Sequence, residues 1–99
     1  MKNLIEETII QHIEITPGTC GGKPRISGRR ITVQNIVIWH ERMGLSADEI
    51  ATEHELELSD VYAALTYYHD HRAEINESIR TDEAFIKNLQ KQIPSKIKK

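Results

Sequence analysis

The chain has 99 residues, 38% of them hydrophobic and 28% charged, with a formal net charge of −2. That length allows one small domain with a shallow core, and the composition is globular rather than disordered. The negative balance argues against general nucleic-acid binding, and the single cysteine, Cys20, excludes an internal disulfide and fits a reducing compartment. The acidic start MKNLIEETIIQHIEI lacks the basic opening and unbroken apolar run of a signal peptide, and no apolar stretch is long enough to span a membrane. A cytoplasmic protein is expected, and a chain this short often gains stability from a second copy of itself. Charge is unevenly spread: Lys23, Arg25, Arg29 and Arg30 make a basic loop, Lys87, Lys91, Lys96, Lys98 and Lys99 a basic tail, and acids from Glu41 to Asp60 fill the middle.

Taken in order, Lys2 to Thr8 reads as frayed or weakly helical. From His12 to Thr16 polar and β-branched residues alternate, which predicts a strand that Pro17-Gly18 stops. A glycine-rich segment follows, with a short second strand expected around Arg25 and Ile26. At Thr32 the period changes: Thr32 is an N-cap for a helix to about Met43 carrying Val33, Ile36, Val37 and His40 on one stripe, with Trp39 and Met43 flanking it. Gly44 suits the left-handed residue that ends it.

The stretch GLSADEIATEHELELSDVYAALTYY then predicts two short helices joined by a tight turn. Ser46 with Glu49 forms a capping box, and Ser59 offers a second N-cap with Asp60 at the positive end of the next helix. Val61, Ala64, Leu65 and Tyr68 recur at helical spacing. This is the helix-turn-helix pattern, without the usual glycine in its turn. A sparser apolar face, Ile75 and Ile79, suggests that the second helix continues past Tyr68. Thr81-Asp82-Glu83 reads as a fresh helix start, and Phe85, Ile86, Leu89 and Ile93 carry a stripe to Pro94. The expected fold is mainly α: a small homeodomain-like or winged-helix-like bundle with an N-terminal β-ribbon. Its expected division is residues 9–79, ribbon and helix-turn-helix, and 80–99, C-terminal helix and basic tail.

The stretch GGKPRISGRRITVQNIV, followed by GLSADEIA and LSDVYAAL, resembles a bacterial and archaeal family catalogued as domain of unknown function four hundred thirty-three. Gly22, Lys23, Pro24, Ile26, Gly28, Arg30 and Thr32 match its loop pattern, and Gly44, Leu45, Ser46, Glu49, Ile50, Asp60, Val61, Ala63, Ala64 and Leu65 match its helical part. The resemblance implies a helix-turn-helix fold behind a β-ribbon. It also implies an antitoxin of a type II toxin–antitoxin pair, whose partner is a PIN-like ribonuclease with an acid-lined, metal-binding active site.

Lys23 is followed by Pro24 where a nucleotide P-loop needs Ser or Thr, so the loop is not a nucleotide site. Lys23, Arg25 and Arg29 are instead candidates for DNA phosphates beside a helix in the major groove, while Arg30 also suits a structural ion pair. Tyr62 and Thr66 are the base-reading candidates, although the helix lacks the Arg, Asn and Gln that make the commonest base contacts. The histidines lack metal-ligand spacing and no catalytic set is recognisable, so no metal, cofactor or enzymatic activity is expected. Arg29 and Arg30, and the stripe Phe85, Ile86, Leu89 and Ile93, are the candidates for partner binding. The stripe either folds onto the core or awaits a partner groove. The expected function is an antitoxin that binds a PIN-like ribonuclease as a homodimer, with its operator DNA a candidate second partner. The rivals are a stand-alone DNA-binding regulator and an interaction adaptor that never touches DNA.

Overall fold

The computed structural model describes residues 12–92. Two short strands, β1 (Ile13–Glu14) and β2 (Arg25–Ile26), pair antiparallel with Ile13 opposite Ile26 and Glu14 opposite Arg25. The alternation sorts the ribbon: both isoleucines are buried against the helices, while Glu14 and Arg25 form an ion pair at 2.9 Å on the other face. The strand expected from His12 to Thr16 is thus shorter than its pattern. After Glu14 the chain turns at Pro17-Gly18, closed by a Thr19 N–H to Thr16 carbonyl bond at 3.1 Å, and Ile15 is left exposed.

Helix α1 (Val33–Val37) starts where Thr32 predicts. The Thr32 hydroxyl accepts from the Asn35 backbone N–H, and the Asn35 side-chain Oδ1 accepts from the Thr32 N–H, both at 3.0 Å. The helix widens into a π-helical turn over Ile38–Arg42, where the Met43 N–H reaches the Ile38 carbonyl, and Gly44 leaves it at φ 73°. Helix α2 (Ala47–Glu53) opens on the Ser46–Glu49 capping box, with bonds of 3.1 and 2.8 Å.

The α2 terminus explains the missing glycine. The Leu56 N–H bonds the Ala51 carbonyl at 2.9 Å, the Schellman closure, and Glu55 takes the left-handed position at φ 55°. Leu56 is buried, supplying the apolar contact that accompanies this motif. Helix α3 (Leu58–Asp70) starts one residue before the expected Ser59 cap, which falls inside its first turn. Glu57 is the N-cap residue because Asp60 reaches back to accept its N–H at 3.2 Å.

The expected continuation past Tyr68 breaks at His71 (φ −133°, ψ 39°), whose ring stacks on Tyr67 with centroids 4.0 Å apart. A new helix, α4, then runs unbroken over Arg72–Gln92. Thr81 therefore lies inside a helix and starts none, because the Asp82 carboxylate is engaged with other elements and caps nothing. Ile13, Ile26, Val33, Ile36, Ile50, Val61, Ala64, Tyr68, Ile75 and Ile79 form the core between ribbon and helices. The molecule is mainly helical, with a small antiparallel ribbon at one side.

Candidate functional site

The basic loop is built into the protein. Lys23 donates to Asp82 of α4, and the same carboxylate accepts from the Gln34 amide at 2.8 Å. Ser78 donates to the other end of Gln34 at 2.7 Å, so the buried Gln34 ties α1 to α4. The Lys23 ammonium and then the Gln34 amide hold the Asp82 carboxyl below the usual carboxylate range. Arg25, only 11% exposed in its side chain, pairs with Glu14 and donates to the Thr16 hydroxyl at 3.1 Å and the Arg29 carbonyl at 2.9 Å. Its buried Nε has no hydrogen-bond partner among the described residues.

Arg29 has a role that no local pattern announces. Its guanidinium donates to the carbonyls of Glu55 at 3.0 Å and His54 at 2.9 Å, where α2 ends. A cation at a helix C-terminus meets the negative end of the dipole, and the fork locks the left-handed Glu55 turn to the loop. Arg30 is exposed, and its side chain has no partner among the described residues. Lys23, Arg25 and Arg29, the candidates for DNA phosphate, are thus directed inward.

On α3, Tyr62 is exposed and Thr66 half-buried, while Tyr67 and Tyr68 face neighbouring helices. The Tyr68 hydroxyl donates to Asn76 at 3.1 Å, and Asp60 holds the His12 Nδ1 at 2.7 Å. No Arg, Lys, Asn or Gln occurs along Leu58–Asp70. The other histidines also have local roles: His54 stacks on Trp39 at 3.8 Å between centroids, and His40 Nδ1 lies 2.9 Å from the Leu45 carbonyl. Between ribbon, α3 and α4 lies a cleft of about 270 Å³ with Ile15, Lys23, Pro24, Tyr67, Glu74 and Ile75 in its walls. Burial, and then Glu74, hold the Tyr67 hydroxyl above its usual range.

The first half of α4 docks and the second does not. Ile75 and Ile79 are buried, and Asp82 and Glu83 make the last contacts, the latter an ion pair with Arg42. From Ala84 to Gln92 every residue is exposed. Phe85 is 62% exposed, Ile86 52% and Leu89 37%, while Ile93, the last member of the expected stripe, lies outside the described residues. Lys87 and Lys91 have no partner among the described residues. At 3.6 residues per turn they fall together on the side opposite Ile86 and Leu89. The sequence signal for this helix was its apolar spacing; the separation of its two faces required the helix to be continuous. Among the described residues, no helix is long and apolar enough to cross a membrane.

No curated protein matches the chain. Among solved structures, a DUF433 member from Anabaena variabilis ATCC 29413 is similar at 32% identity, with a TM-score of 0.66, over 76% of this chain and 74% of that one. The model of the family described as "Protein of unknown function (DUF433)" matches residues 13–68, the span that holds the ribbon, the basic loop, α1, α2 and most of α3. The chain belongs to that family.

Proposed function

We propose that the chain is an antitoxin-type inhibitor that binds a PIN-like ribonuclease through the distal half of α4. The observation that carries this reading is the state of the cations. Lys23, Arg25 and Arg29 of the loop are tied to Asp82, Glu14 and the α2 terminus and leave Arg30 there on its own, whereas Lys87 and Lys91, with no partner among the described residues, sit one turn apart on a helix clear of the body. An acid-lined active site attracts such a pair, and complementary charge steers encounter as well as register. Nothing in the mechanism is catalytic: the helix covers the active site stoichiometrically.

The α2–turn–α3 unit, read as a helix-turn-helix, serves here as scaffold. Its second helix carries Asp60 at its start and no base-reading side chain, and three of the four loop cations face inward. A stand-alone regulator would instead bind duplex DNA by itself, with an affinity falling steeply as salt rises. The test is co-purification with a PIN-like ribonuclease as candidate partner, such as one found in a neighbouring reading frame. Lys87→Glu with Lys91→Glu should abolish capture, while Arg30→Ala should leave most of it. Undiminished capture by the double variant would refute the reading.

A further inference from the structure

We propose that the apolar face of the distal half of α4 is covered by the same face of a second copy, running antiparallel. This goes beyond the nuclease reading and does not depend on it, because it uses the opposite side of the helix. The face begins inside the protein. Ile75, Ile79, Asp82, Ile86 and Leu89 alternate at four- and three-residue spacing along one side of α4, the repeat of helices that pair along a seam. Ile75 and Ile79 bury that side in the body, and beyond Glu83 it continues uncovered with Phe85 at its edge.

Charge selects the occupant. Phe85, Ile86 and Leu89 are bordered by Asn88, Gln90 and Gln92, while Lys87 and Lys91 lie on the far side. A face without charge meets its own copy without repulsion, and its amides can bond across the seam. A strongly charged partner would find nothing there to pair with. Orientation follows from where the body sits. Each body occupies this same face along the first half of its α4, so parallel helices would drive two bodies together. Antiparallel helices put the bodies at opposite ends and oppose the helix dipoles. The resulting two-fold contact is isologous, with Leu89 beside the middle of the Ala84–Gln92 span and hence near the axis. The contact spans only Ala84 to Gln92, about 14 Å of helix, so association should be reversible and micromolar.

Sedimentation equilibrium of the full chain, with no nuclease present, should show a monomer–dimer equilibrium. Ile86→Lys places two charges in the seam and should raise the dissociation constant roughly a hundredfold or more, with helicity unchanged by circular dichroism. Lys87→Glu should leave it unchanged. In a Cys20→Ser background, Leu89→Cys should cross-link two chains on oxidation and Phe85→Cys should not. A chain monomeric throughout, a dimer indifferent to Ile86→Lys, or cross-linking at Phe85→Cys as readily as at Leu89→Cys would each overturn the proposal. So would a monomer whose distal α4 gains protection from hydrogen exchange only when the nuclease is added, since that would give the stripe to the nuclease.

Discussion

The two halves of α4 share one helix, one apolar spacing and opposite fates. Ile79 is 2% exposed and Ile86, two turns further on, is 52% exposed. Intrinsic helix preference does not separate them, because both halves are rich in good helix formers. The difference lies in what faces them. The proximal half meets a wall prepared by Gln34, Lys23 and Arg42, whose partners Ser78, Asp82 and Glu83 fix how far docking extends. Past Glu83 the body ends and the helix does not. An amphipathic stripe therefore specifies that something covers it, and the polar contacts beside it decide whether the cover comes from the same chain.

Substitution along the stripe should break this symmetry most strongly. Ile79→Ala removes a fully buried side chain and should lower stability by about 2–4 kcal/mol in urea denaturation. Ile86→Ala, measured at concentrations where the chain is monomeric, should change it by less than about 0.5 kcal/mol. Equal losses at the two positions would mean that the distal half packs on the body. Next comes the wall itself. Gln34→Ala leaves Ser78 and Asp82 without their shared partner and should cost about 1–3 kcal/mol, with faster hydrogen exchange along proximal α4 and none of that change beyond Glu83.

A smaller effect concerns the loop that the DNA reading would have turned outward. Arg29→Ala removes the fork from the α2 terminus and should cost about 1 kcal/mol. Glu55→Gly should gain about 1 kcal/mol by relieving the left-handed backbone. The smallest effect is pH-dependent. Lys23 and Gln34 hold the Asp82 carboxyl below its unfolded value, so its stabilisation is complete above the ordinary carboxylate pKa and fades as pH falls through the folded one. Asp82→Asn should be less stable than the native chain at pH 7, and the gap should close under acid conditions.

Features governed by neighbours within a turn were legible in the sequence. Thr32 and Ser46 cap where they should, Gly44 takes its left-handed turn, and the ribbon pairs near Ile13 and Ile26. What escaped was set by contacts distant in sequence. A glutamate at a left-handed position carries no local signal, since its carbonyl is held by an arginine 26 residues away. Thr81-Asp82 looked like a helix start because nothing nearby shows Asp82 engaged by a lysine 59 residues distant. The same limit applied to the loop: a cluster of cations in sequence reads as a phosphate site, although Lys23, Arg25 and Arg29 each find a different inward partner.

The most direct test is to end the chain after Glu83, keeping every contact that docks α4, and to co-express it with a PIN-like ribonuclease as candidate partner. The shortened chain should retain its helical spectrum and cooperative unfolding while failing to capture or restrain the nuclease. A shortened chain that folds and restrains the nuclease as well as the full one would contradict the assignment of partner binding to the distal half of α4.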